Sequence, residues 1–235
     1  MKTDIFNISF CTNSIKFNDP YDTKPLLNPD KIDILVMQDN NFVVGKNDIK
    51  FFQQKFLSFM SDFRINCFTE NDYSNILMWS HYADCHKGFC LEYDVQSDKF
   101  KNHLLNFIHP VIYSNDIYDL SEYIYCVIEK YKGKKKIINH SHLLLSALFK
   151  STQWESEKEW RLVLTKDNKN DKFVDVDNPS AIYMGLNIEN KYRKCLMAFA
   201  CDKNIPIYEM FQKGNEYKLI AKEITENILT VGGLK

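Results

Sequence analysis

The run Trp79-Ser80-His81-Tyr82-Ala83-Asp84-Cys85-His86-Lys87-Gly88 constrains the fold more than any other part of the chain. It is flanked by Ile65–Thr69 and by Phe89-Cys90-Leu91-Glu92-Tyr93-Asp94-Val95, both of strand character. The expected order is therefore strand, helix, strand, with Ser74 capping the helix and Gly88 ending it through a positive φ. In the second strand Phe89, Leu91, Tyr93 and Val95 alternate, as in a half-buried strand. On a continuous helix His81/Cys85 and Tyr82/His86 stand four residues apart and share faces. A purely structural reading turns Leu77, Met78, Trp79 and Tyr82 to the sheet and leaves the histidines to backbone partners. The spacing speaks against a metal: Asp84, Cys85 and His86 diverge by about 100° per residue around a helix and do not converge with His81.

Elsewhere the pattern predicts strands at 32–37, Ile65–Thr69, His109–Tyr113, Glu159–Thr165, Lys172–Val176 and Ala181–Met184, and a closing pair at Ile205–Phe211 and Tyr217–Ile224. Helices are expected from Asn47 to Phe63, where apolar residues recur at three-and-four spacing, and at Leu120–Tyr131, Ile137–Phe149 and near Glu189–Ala200. Asn40–Gly45 reads as a turn. So does the end of 14–22, where Asn-Asp-Pro combines side chains that bond their own backbone with a fixed φ. No segment is low in complexity and no period repeats. The expectation is one α+β domain over 1–235, a mixed or antiparallel sheet core with flanking helices.

Lys and Arg number 30 against 31 Asp and Glu, a formal charge of -1, which excludes a globally basic nucleic-acid coat. The apolar runs fall far short of the roughly 20 residues that cross a bilayer, and the first residues do not read as a secretion leader. Seven Cys, an odd number without a CxxC pair, fit reduced thiols in the cytoplasm. Dinucleotide-fold, P-loop, zincin and α/β-hydrolase motifs are missing from the sequence. Lys132, Lys134, Lys135 and Lys136 read as a solvated loop or helix end rather than a nucleic-acid groove, with Tyr123, Tyr125 and Tyr131 nearby. Cys85 or Cys90 beside His81 and His86 would suit a nucleophile, although buried inert cysteine is the commoner state.

A second chemical cluster gathers Lys150, Trp154, Glu155, Glu157, Glu159, Trp160 and Arg161. If 155–161 is extended, its three glutamates share a face, where their repulsion calls for Lys, Arg or a ligand cation. Crowded carboxylates also serve as acids or bases. A solvated strand edge is the ordinary alternative, against which the two indoles argue.

The strings FNDPYD (17–22), CFTE (67–70), NILMWSHYADCHKGFCLEYD (75–94), Lys150 with WESEKEWRLV (154–163), and IYMGLNI (182–188) resemble a bacterial family of uncharacterised proteins, domain-of-unknown-function family 2971. The early turn and the Glu159-Trp160-Arg161-Leu162-Val163 strand also look, more distantly, like the layout of DNA-targeting ADP-ribosyltransferase toxins. That second resemblance implies a catalytic Glu159, accompanied by Glu157, with His81 or Tyr82 beside it. It implies NAD as the nucleotide and a toxin or phage-defence setting. Asn18, Asp19, Trp79, His86, Lys150, Trp154 and Arg161 would line the substrate site. Family members usually carry a further strand and helix before the FNDP turn, so the N-terminus is expected to be shortened.

Three classes of function follow. An enzyme acting on a nucleotide-type substrate, with nucleic acid as a target, requires Glu159, His81 and Tyr82 in one cleft. A metal-dependent nucleic-acid enzyme requires converging ligands. A non-catalytic binding module requires an apolar pocket for a small molecule or partner.

Overall fold

A computed structural model of the chain describes residues 4–7, 12–13, 17–28, 30–33, 46–60, 62–95, 105–165 and 178–224. Strands β1 (Asp4–Asn7) and β2 (Thr12–Asn13) come before helix α1 (Lys46–Met60). Then follow β3 (Phe63–Thr69), α2 (Ile76–Tyr82), β4 (Phe89–Asp94), β5 (Ile108–Pro110), β6 (Ile112–Ser114), α3 (Ser121–Tyr131), α4 (Ser141–Ser146) and β7 (Phe149–Ser151). A 3-10 helix (Thr152–Glu157) leads into β8 (Glu159–Thr165), β9 (Ala181–Met184), α5 (Asn190–Lys203), β10 (Ile207–Gln212) and β11 (Leu219–Glu223). Among the described residues, one nine-stranded sheet runs β11-β10-β9-β4-β1-β3-β8-β5, with β2 beside β3, and β6 and β7 form a separate parallel pair. Within the large sheet only β9 and β10 run parallel, so the fold is α+β around a mixed sheet.

Register decides what meets on each face, because side chains alternate along a strand. Ile65 pairs with Val163, Cys67 with Arg161 and Thr69 with Glu159. The face that bears Phe63, Ile65 and Val163 therefore also bears Arg161 and Glu159. Its apolar half packs against α1, α3 and α4 through Phe52, Phe56, Ile124, Ile128 and Leu143. Across β1 the same face continues to Cys90 and Tyr183, which are covered by Trp79 of α2. The charged pair Glu159/Arg161 thus lies between two apolar clusters. On the opposite face Ile182 and Met184 pack on α5 through Ala200.

Several boundaries differ from the expected ones. The α2 cap is Asn75, whose Oδ1 accepts from the backbone N–H of Leu77 and Met78, while Ser74 bonds to Asp72. The helix stops at Tyr82, and the left-handed residues are Asp84, Cys85 and His86 rather than Gly88. Gly88 is small for another reason: a Cβ there would stand 3.1 Å from the Ala83 Cα. The faces shared by His81/Cys85 and Tyr82/His86 therefore do not exist, and Leu77 is exposed. Cys90 is buried, whereas of the alternating set only Tyr93 is buried and Phe89, Leu91 and Val95 are half-buried, because both faces of the sheet are covered there.

The candidate strand 109–113 is broken at Val111, whose N–H donates to the Glu159 carbonyl. Helix 137–149 contracts to α4, since Phe149 already pairs with Ile112. Residues 30–33 are helical where a strand was expected to begin, and 34–37, Asn40–Gly45 and Lys172–Val176 lie outside the described residues. No helix among the described residues is long and apolar enough to cross a membrane.

Candidate functional site

The FNDPYD segment folds through its own side chains: Asn18 Oδ1 accepts from Asp19 N–H, and Asp19 Oδ1 accepts from Tyr21 N–H. Thr23 follows at φ 57°. This turn aims two carboxylates at the second cluster. Asp19 Oδ2 accepts from the Trp154 indole N–H at 2.8 Å, and Asp22 takes both terminal nitrogens of Arg161, at 2.8 and 2.7 Å.

Residues 155–161 do not form one extended edge. Glu157 ends the 3-10 helix, Lys158 turns left-handed at φ 46°, and β8 starts at Glu159. The three glutamates therefore part company: Glu155 is exposed, whereas Glu157 and Glu159 converge on one ammonium. Lys150 Nζ, projecting from β7, donates to Glu157 Oε2 at 2.6 Å and to Glu159 Oε2 at 2.8 Å. Arg161 Nε and a terminal nitrogen hold the other side of Glu159, at 2.8 and 3.2 Å. The compensating cations foreseen for crowded carboxylates are thus supplied by the chain itself.

Burial makes these pairings strong. Arg161 is wholly buried, its guanidinium also bonded to the Ala147 carbonyl and lying over the Phe17 ring. Burial opposes the charge on Glu159, but Arg161, aided by Lys150, outweighs it and brings the carboxyl down to about 2. Burial likewise opposes the Lys150 charge, and Glu159 and Glu157 together hold it protonated. Burial pushes the Cys67 thiol beneath Glu159 well up, which makes it inert.

The first motif reaches this network at one point. The Tyr82 hydroxyl donates to Glu157 Oε1, and burial keeps that phenol protonated. His81 is exposed and sits edge-on to Trp154, with ring centroids 6.4 Å apart. Trp79 and His86 stand elsewhere: Trp79 is buried, its indole N–H on the Tyr73 carbonyl, and His86 stacks on it at 6.2 Å. The helix 76–82 and the 154–163 segment therefore meet through Tyr82, His81, Glu157 and Trp154, while Trp79 serves the core and the half-buried His86 stacks on it.

Beside the network opens a cleft of about 540 Å³. Asn18, Asp19, Lys150 and Trp154 line it, as do Tyr118 and Phe149, which sequence reasoning missed. Arg161, Glu157 and Glu159 lie behind that wall. Asp22 was also missed as a site residue, although it lies within the FNDPYD motif. Lys150 Nζ stands 5.0 Å from the centre of the Trp154 ring, a cation–π contact that fixes the indole against the ammonium. Among the described residues no three His, Cys, Asp or Glu side chains converge to hold a metal ion. Three of the four lysines of 132–136 are engaged on the protein's own carboxylates, Lys132 on Asp48 and Lys134 and Lys136 on Glu129.

Residues 78–162 match the family model described as Protein of unknown function (DUF2971). The matched stretch contains both chemical clusters, and the turn that carries Asn18, Asp19 and Asp22 lies outside it. No curated protein and no solved structure gives a match.

Proposed function

We propose that the protein is an enzyme acting on a nucleotide-type substrate held in the cleft beside Lys150 and Trp154, with ADP-ribosyl transfer from NAD as its reaction, in a bacterial toxin or defence setting. The observation that carries this reading is the chain Tyr82–Glu157–Lys150, which joins the two sequence clusters at a cleft wall. The cleft volume falls within the roughly 300–1,000 Å³ of small-molecule sites. Flat faces at Trp154, Tyr118 and Phe149 suit a base, and Asn18 and Ser151 suit ribose hydroxyls. NAD, when bound, would supply the ADP-ribosyl group with nicotinamide as the leaving group.

The geometry favours Glu157 over Glu159 as the carboxylate that serves this chemistry. Both oxygens of Glu159 are held by cations, and displacing a buried cation from a carboxylate costs several kcal/mol, roughly 3–5 when a pair is broken. One oxygen of Glu157 accepts from the neutral Tyr82 phenol, a bond of about 1.5–3 kcal/mol net, so Glu157 is released more readily than Glu159 to a substrate that enters past Lys150. Glu159 and Arg161 then position Lys150, and His81 flanks the Trp154 end of the site.

Nicotinamide release from NAD tests the reading. Wild-type protein is expected to release it, Glu157→Gln to retain binding while losing roughly 100-fold or more in turnover, and Trp154→Ala to weaken binding. Wild-type protein that neither binds nor consumes NAD overturns the reading. A second reading, a non-catalytic binding module, draws on the complete pairing of Glu159 and Lys150 within the chain. It predicts saturable ligand binding without turnover, and no effect of Glu157→Gln on that binding.

A further inference from the structure

The cleft has a second polar pole that neither sequence motif contains. Tyr118 contributes to its wall, and the Tyr118 hydroxyl lies 2.6 Å from His142 Nδ1 on α4. The two rings stack at 6.3 Å, and Tyr118 also contacts the Phe149 ring at 4.7 Å. The backbone around it is pinned: Leu26 N–H donates to the Tyr118 carbonyl, and the next residue, Asp119, bridges to Leu26 while its carboxylate takes Lys31 and the Ser121 N–H. The phenol oxygen is thus held at a fixed place against the imidazole.

Burial, helped by the Asp119 charge, raises the Tyr118 phenol above its ordinary range, so at neutral pH it carries its proton. A relay through this contact requires the direction in which Tyr118 donates and His142 Nδ1 accepts, with the imidazole proton on Nε2. The other groups near the pair are the Tyr123 ring, 5.8 Å from His142, then His140 next to Tyr123, with Asp119 held by Lys31 on the Tyr118 side and Lys24 in the cleft.

We propose that Tyr118 and His142 form a proton relay that serves the acceptor molecule in the cleft. This rests on the group-transfer reading above. As the acceptor, a hydroxyl or water, attacks the ribosyl carbon, its O–H bond breaks and that proton bonds to the Tyr118 oxygen. At the same time the Tyr118 O–H bond breaks and its proton passes to His142 Nδ1. One proton moves from acceptor to imidazole, which becomes imidazolium, and the bond to nicotinamide breaks with its electron pair leaving on the nicotinamide. Tyr118 is the group that meets the substrate. His142 is a positioning residue acting through it.

The test compares wild type, Tyr118→Phe and His142→Gln for NAD consumption across pH 5 to 9, alongside ¹⁵N NMR of the His142 ring. Gln keeps a hydrogen-bond acceptor for Tyr118 and does not titrate, so it separates a structural contact from proton transfer. The relay predicts a roughly 100-fold loss of kcat in both variants, little change in KM, and a wild-type acid limb that disappears in His142→Gln. His142→Gln with the wild-type rate and pH profile overturns it. If wild-type protein leaves NAD untouched, the functional reading fails by itself and the NMR arm decides the relay. An Nε2–H tautomer whose Nδ1 signal shifts in Tyr118→Phe supports it, and an Nδ1–H tautomer overturns it.

Discussion

Glu159 occupies the position where charge and burial act most strongly against each other. Its carboxyl is held at about 2, well below the 4.5 of a free glutamate. A depressed carboxyl contributes stability that is complete above about pH 4.5 and is lost as pH falls toward 2. Glu159→Gln is therefore expected to lower stability by roughly 3–5 kcal/mol at neutral pH, since it leaves Arg161 with one of its two carboxylates. It should also flatten the acid limb of the stability profile. Urea melts between pH 2 and 7 measure both, and a variant whose acid limb matches wild type would show that Glu159 carries no such linkage. Glu157 differs in consequence: its Gln variant is expected to keep more stability and lose turnover, because one of its oxygens accepts from the neutral Tyr82 phenol.

At the scale of elements, the turn after α2 explains the His-x-Gly end of the motif better than a helix does. Asp84, Cys85 and His86 run left-handed, which brings the His86 carbonyl to Asn187 N–H and the Gly88 carbonyl to Gly185 N–H. Gly185 is required by close approach: a Cβ there would fall 2.2 Å from the His86 oxygen. Gly185→Ala is expected to destabilise by about 1–3 kcal/mol, read as a lower melting temperature, and an unchanged melt would contradict this packing. The cap at Asn75 offers a milder test, with Asn75→Ala costing about 1 kcal/mol.

The strands Glu159–Thr165 and Ala181–Met184 were legible because their apolar residues alternate or run together between turn residues. The site was legible in its residue types: Lys150, Glu157, Glu159 and Arg161 were all visible, as was Tyr82. Their geometry was not, for identifiable reasons. Three consecutive left-handed non-glycine residues have no local signature, and the 3-10 turn at 152–157 broke a period-two pattern of glutamates that suggested a strand. Tyr118 and His142 are 24 residues apart, and only the pairing of β6 with β7 and the placement of α4 bring them together at the cleft wall that Tyr118 lines.

Over the whole molecule, the network fastens the early turn to the far end of the chain's central sheet. Asp22 to Arg161 spans 139 positions and Asp19 to Trp154 spans 135, so these two bonds tie the cleft wall at 18–25 to the second cluster. Asp22→Ala is expected to speed amide exchange in Tyr21 and Asp22's neighbours and to weaken any ligand of the cleft, measured by hydrogen exchange with mass spectrometry. Exchange unchanged from wild type would mean that the turn is held by other contacts. The measurement that bears most directly on the function is calorimetric titration of wild type and Trp154→Ala with NAD and with ADP-ribose. Saturable one-to-one binding to wild type, weakened roughly tenfold or more by the loss of the indole, is the predicted result. Absence of binding by both nucleotides, or binding indifferent to Trp154, would contradict a nucleotide site in this cleft.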